Sequence, residues 1–246
     1  MLNGLDLFSG IGGISLALRE WVRPIAYCEI DAYCQGVLLS RMGTKELRYA
    51  PIWDDIRTLS QHDLPRCIDI IYGGFPCQDI SVAGHGKGLG GERSGLFFEI
   101  ARLAKEIKPK FLFLENVSSI SRRGGSTIAR IIADMGYDCR WCTISAEGLM
   151  APQKRNRWFF LAHSNSEPSW KTDKRTITDS QKQETWIRPS GQNWRDEFGS
   201  YWKKNKQPIP GMDYGNPFEV DRAKCLGNSV CPQQTREAFK ILMGIK

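Results

Sequence analysis

Residues 3–18 read NGLDLFSGIGGISLAL. Leu5, Leu7 and Phe8 rise out of a polar start in the manner of a strand. Ser9-Gly10-Ile11-Gly12-Gly13 then breaks the pattern, and ISLALREW from Ile14 has the apolar spacing of a helix. Strand, glycine turn and helix make the opening unit of an α/β sheet. The same alternation continues. Ile25 to Ile30, Ile68 to Tyr72, Phe111 to Leu114, Tyr137 to Ser145 and Trp158 to Ala162 are expected strands. Ala32 to Met42, Leu96 to Ile107, Ile128 to Met135 and Arg236 to Met243 are expected helices.

In an open sheet of this class, ligands bind beyond the carboxyl ends of the strands. The chemically notable residues fall there. The glycine turn follows the first strand, and Glu29 closes the second. Asp55-Ile56 ends a short apolar patch, Pro76-Cys77 follows the strand at 68–72, and Glu115 closes the strand at 111–114. Gly10, Gly12 and Gly13 permit close backbone approach to a nucleotide-like group. The spacing is not the six-residue dinucleotide fingerprint with its third glycine. Glu29 lies where a carboxylate accepts hydrogen bonds from ribose hydroxyls. Turn and acid together suit an adenosine-bearing cofactor.

Cys77 sits on the corner GGFPCQDIS, residues 73–81, after its strand has ended. A packing cysteine belongs inside the strand; one on the corner can present its sulfur to a pocket. A thiolate there is a nucleophile, and a carboxyl such as Glu115 donates a proton if its surroundings raise its pKa. Gln153-Lys154-Arg155-Asn156-Arg157 puts two arginines at i and i+2, on one face if the segment leads into a strand. Thiol, acid and guanidinium together suit an electron-poor ring attacked by sulfur and held by its polar edge.

The chain of 246 residues carries a formal charge of +7 and eight cysteines. The length suits one large domain that needs no disulfide or metal to fold. No secretory leader pattern and no membrane-length apolar run are evident, so a cytoplasmic protein with reduced thiols is expected. Cys139-x-x-Cys142 lies in a strand pattern without a second close pair, so no metal site is assigned. His62, His85 and His163 suggest no common site. Residues 164–210 lose periodicity and hold nine Lys/Arg, six Asp/Glu and four of the eight tryptophans. Basic residues interleaved with aromatics suit phosphate contact and base stacking.

The ordered set of motifs resembles the DNA (cytosine-5)-methyltransferases. DLFSGIGGISLAL is similar to the family's cofactor motif, CEID to its acidic motif, and DDI at 54–56 to the segment that meets the adenine. GGFPCQ is similar to the nucleophile motif, ENV at 115–117 to the acid motif, and QKRNR to the arginine motif. LGNSVCPQ at 226–233 is similar to the last motif, which returns to the cofactor site. The resemblance covers residues 4–163 and 211–243. It implies a Rossmann-like, S-adenosylmethionine-dependent fold with three parts. These are a catalytic and cofactor-binding domain at 1–163, a short and mostly irregular target-recognition insertion at 164–210, and a returning C-terminal segment at 211–246. It implies double-stranded DNA as partner and C5 of a flipped cytosine as the methyl acceptor. Cys77 is then the nucleophile, Glu115 the acid at N3, Arg157 the group near O2 and Arg155 its support. Phe8, Gly10, Gly12, Glu29, Ile30, Asp55, Ile56, Pro76, Leu96 and Asn228 would line the cofactor site. The six-glycine stretch AGHGKGLGGERSG at 83–95 would be a loop that closes over DNA.

The insertion is shorter than the family usually has, which leaves few side chains to read the major groove. Relaxed or short-site specificity and help from a partner all stay open. So do the oligomeric state and a role in restriction–modification, in a phage or in host regulation. A same-fold enzyme acting on tRNA and a catalytically inert DNA-binding module are the competing readings. A nicotinamide oxidoreductase with a catalytic thiol is more distant, since it leaves the later motifs without a role.

Overall fold

The computed structural model describes residues 1–65, 67–76, 95–149, 155–166 and 229–245. Its strands are β1 (Leu2–Leu7), β2 (Val22–Cys28), β3 (Ile52–Trp53), β4 (Ile70–Gly74), β5 (Phe111–Val117), β6 (Tyr137–Ser145) and β7 (Asn156–Ser164). Its helices are α1 (Gly13–Leu18), α2 (Ala32–Gly43), α3 (Leu96–Ile107), α4 (Ile120–Arg123), α5 (Gly125–Asp134) and α6 (Pro232–Met243). The strands form one sheet in the order β3-β2-β1-β4-β5-β7-β6. The first five run parallel, and β7 enters antiparallel between β5 and β6. This is the expected α/β, Rossmann-like architecture.

The central strands are buried on both faces, as a parallel sheet requires. Leu5, Leu7, Ile70, Ile71, Leu112, Phe113 and Leu114 are all inaccessible. Each such side chain contributes roughly 1.5–3 kcal/mol of burial. Leu5, Leu7, Ile71 and Leu112 pack with Phe97, Ile100 and Leu103 of α3 and with Ile128 and Ile132 of α5. Tyr72, Phe113 and Phe159 face Ile14 and Leu18 of α1 and Ala238, Phe239 and Leu242 of α6. The sheet is thus covered by helices on both sides. Cys139 and Cys142, three residues apart along β6, pack into these two different clusters. That spacing in a strand turns side chains to opposite faces.

Several element bounds differ from the sequence reading. β2 begins at Val22 and ends at Cys28, so Glu29 follows it instead of closing it. Pro24 reads as a breaker but is tolerated, because β3 pairs β2 only at Tyr27 and Cys28 and leaves that edge open. β5 runs past Glu115 to Val117, because β7 pairs along its whole length. α1 is shorter than expected, ending at Leu18 so that β2 can start. α6 begins four residues earlier, at Pro232, whose ring suits the first helical turn.

The expected insertion at 164–210 lies outside the described residues from position 167 onward. The segment 211–246 is described from Ser229 to Ile245.

Candidate active site

The turn after β1 is built for close approach. Phe8 has φ +53, Gly10 φ +52 and Gly12 φ +83. A bulky non-glycine residue in the left-handed region is held there by its surroundings, and such residues gather at functional sites. A Cβ on Gly12 would run into the side chain of Leu47. A Cβ on Gly10 would meet nothing within 4 Å, so the turn is open on that side.

Glu29 closes the turn from below. Its Oε2 accepts the Gly10 N–H at 2.6 Å, and its Oε1 accepts the Asp31 N–H at 2.8 Å. Gln35 Nε2 donates to the Glu29 backbone oxygen at 2.6 Å. Asp31 caps α2 by accepting the Tyr33 and Cys34 N–H groups. The buried Glu29 stands beside Ile30, a residue that is 66% exposed. An open glycine turn, an acid and an exposed apolar side chain fit the ribose and base of an adenosine. Asp55 and Ile56 lie on the loop after β3, where Arg57 binds the Asp55 carboxylate. Arg102 of α3 donates to the backbone oxygens of Ile56 and Leu59, both at 2.9 Å, while Glu99 and Glu106 flank its guanidinium.

A second cluster forms where β4, β5 and β7 meet. Gly74 of β4 is in register with Glu115 of β5. A Cβ on Gly74 would lie 2.7 Å from Glu115 Oε2, so glycine there makes room for the carboxyl. Glu115 is 6% exposed. Its Oε1 lies 2.7 Å from Arg157 Nε, a close ion pair without a well-aligned hydrogen bond. Burial pushes the carboxyl up to about 7, while Arg157 and Arg155 pull it down. Arg155 and Arg157 are therefore both brought to Glu115, but they are held differently. Arg155 precedes β7, and its Nη2 donates to the Ser229 backbone oxygen at 2.6 Å. Arg157 lies within β7 and also donates from Nη1 to the Asn156 oxygen.

Asn116, next to the acid, is almost fully buried. Its Nδ2 donates to the Phe75 oxygen at 2.9 Å, and its Oδ1 accepts the Val117 N–H. It thereby fixes the chain just before Pro76. Pro76 is exposed and Leu96 half-buried at the start of α3. Cys77, Gln153, Lys154, Asn228 and the glycine-rich segment up to Ser94 lie outside the described residues.

Sequence reasoning passed over Asp6. It is 1% exposed in β1. Ser15 Oγ donates to its Oδ2 at 2.6 Å and meets the Tyr72 hydroxyl at 2.7 Å. Burial lifts the Asp6 carboxyl to about 8. An acid at the buried position between Leu5 and Leu7 was the available signal. Gln234 was also missed; the expected helix began too late to include it. Among the described residues no group of three or more His, Cys, Asp or Glu is arranged to hold a metal. None of the described helices is long and apolar enough to cross a membrane.

The family model for C-5 cytosine-specific DNA methylase matches residues 2–209. Type II methyltransferase M.CviJI of Paramecium bursaria Chlorella virus IL3A is 32% identical over 238 residues, covering 96% of this chain and 58% of that protein. Type II methyltransferase M.HhaI of Haemophilus parahaemolyticus is 34% identical over 169 residues, covering 67% and 50%. The chain thus spans little more than half the length of these relatives. An Escherichia coli prophage protein described as a DNA modification methyltransferase matches with TM-score 0.55 and 28% identity, covering 68% of this chain and 47% of that one. A DNMT2 structure from Spodoptera frugiperda matches with TM-score 0.58 at 18% identity, a likeness of fold.

Proposed function

The chain belongs to the C-5 cytosine-specific DNA methylase family, and from that premise we propose that it methylates C5 of a cytosine flipped out of duplex DNA. The observation that carries this reading is the buried Glu115–Arg157 pair, set at the end of β5 beside the strand that leads to Cys77. Chain connectivity alone keeps a residue three positions beyond Gly74 within about 11 Å of it.

Cytosine C5 is a poor nucleophile and must be activated. The Cys77 thiolate adds to C6, and the C5–C6 electron pair moves toward C5 and the N3 edge. Glu115, with a pKa near 7, holds a proton at N3 and stabilises the charge that develops there. Arg157, with Arg155 behind it, faces the O2 edge. One preorganised donor of this kind contributes about 2.7–4 kcal/mol. Once C5 carries the methyl group, loss of its proton to solvent restores the C5–C6 double bond and expels the Cys77 thiolate. Extrusion of the base from the stack brings C6 within reach of the sulfur.

S-adenosylmethionine, when bound, would supply an electrophilic methyl group to C5, its sulfonium sulfur keeping the bonding pair and leaving as the thioether of S-adenosylhomocysteine. Phe8, Gly10 and Gly12 would admit it at the open turn, and Glu29 would accept ribose hydroxyls. Ile30, Asp55 and Ile56 would meet the adenine. Pro76, Leu96 and Asn228 would complete the site. The division at 163/164 and 210/211 follows the same reading, with the insertion as the segment that reads the duplex.

Incubating the protein with duplex DNA and methyl-labelled S-adenosylmethionine, followed by bisulfite sequencing, tests the reading. We expect label in DNA and protection of particular cytosines, both lost in Cys77→Ala. Label confined to adenine or to RNA, or full turnover by Cys77→Ala, would overturn it.

A further inference from the structure

The C-terminal segment touches both halves of the site. Val230 packs against the glycine turn, where a Cβ on Gly13 would lie 2.9 Å from its Cγ2. Ser229 accepts the Arg155 side chain. Five residues on, α6 presents Gln234 to the sheet, at a position continuous with the buried Ala238 and Leu242. Gln234 is 0% exposed. Its Nε2 donates to the Ile144 oxygen at 2.5 Å and to the Arg155 oxygen at 2.8 Å.

Those two carbonyls belong to different strands. Ile144 lies near the end of β6, and Arg155 immediately precedes β7. Carbonyl oxygens only accept, so the two-donor amide nitrogen is the end of the side chain that fits between them. Gln234 Oε1 is buried without a hydrogen-bond partner among the described residues. A polar side chain left half-satisfied in an apolar stripe is costly. The Arg155 oxygen also accepts the Ala146 N–H at 2.9 Å, so the amide is a second tie beside the β6–β7 ladder. A leucine at this position would pack without that cost, yet it would lose the link between the two carbonyls.

We propose that Gln234 is a positioning residue: it ties the end of β6 to the start of β7 and so sets where Arg155 and Arg157 stand against Glu115. This deepens the functional reading, since it takes that pair as the group that meets the base. Arg155 is held at both ends by one segment, its side chain by Ser229 and its backbone by Gln234. Among the described residues, the charged groups that face Glu115 are Arg157 and Arg155, and the β4 side contributes the uncharged Gly74. Loosening the clamp therefore withdraws positive charge from the carboxyl.

Gln234→Met keeps the length and removes the amide without adding charge. The test follows the Glu115 carboxyl by carbon-13 NMR of glutamate-labelled protein, with its signal assigned by Glu115→Gln. We expect the Glu115 midpoint to rise by more than about 0.3 pH unit in Gln234→Met. A smaller change overturns the proposal, including the case where only the melting temperature falls, as a purely structural role would give. Gln234→Leu repeats the measurement should the methionine variant fail to melt cooperatively. The titration needs neither DNA nor methyl donor, so a protein that transfers no methyl group still answers it.

Discussion

Two carboxyl groups among the described residues are displaced upward for the same reason, burial, but with different consequences. Glu115 stands at about 7 because burial outweighs two arginines. Its proton is therefore present below neutrality and lost above it. We predict that single-turnover methyl transfer declines on the alkaline side with a midpoint near 7. Glu115→Gln should lose at least about 100-fold in rate while still binding S-adenosylhomocysteine. A rate that is flat from pH 6 to 9 would remove Glu115 from the proton-holding role. Asp6 has no arginine beside it among the described residues and stands at about 8. Unfolded, it titrates near 4. Between those values the folded state binds the extra proton, so the wild type loses stability as pH rises from about 4 to about 8. The loss runs at about 1.4 kcal/mol per pH unit. Asp6→Asn cannot titrate. Its melting temperature relative to wild type should therefore climb between pH 5 and pH 8; a constant difference would show that Asp6 is ionised in the fold.

At the scale of the element, the turn after β1 works together with the acid after β2. Glu29 accepts two backbone N–H groups, one from the turn and one from the cap of α2. Glu29→Ala removes a ligand acceptor and loosens the turn at once. Calorimetry with S-adenosylhomocysteine should show at least about tenfold weaker binding; unchanged affinity would count against the ribose contact. The placement of the turn and of Glu29 was legible in the sequence, because glycines between an apolar strand and a helix mark a turn. The residues at the strand ends were legible for the same reason. Hydrophobic alternation misses what depends on neighbours. β5 is longer than its apolar run because β7 pairs beside it, and β2 includes Pro24 because its outer edge is uncovered. The roles of Asn116 and Gln234 are set by partners 41 and 90 residues away, and no local pattern announces them.

Across the whole molecule, one sheet places two groups of candidate site residues at its strand ends. β1, β2 and β3 carry the turn, Glu29 and the Asp55-Ile56 loop, while β4, β5 and β7 carry the strand toward Cys77, Glu115 and the arginines. The adjacency of β1 and β4 joins the two halves, and α6 locks them from the far side of the chain. Arg236 of α6 binds Glu20 with two hydrogen bonds of 2.8 Å and lies over Trp21. The central claim is that sulfur, acid and guanidinium converge on one pyrimidine. Duplex DNA carrying 5-fluorocytosine tests this most directly, because fluorine at C5 cannot leave as a proton and the adduct cannot resolve. With S-adenosylmethionine present, the account predicts a denaturation-stable protein–DNA complex whose mass includes one methyl group and whose cross-link maps to Cys77. Protein that binds S-adenosylhomocysteine and duplex DNA yet forms no such complex, or forms it through another residue, would contradict it.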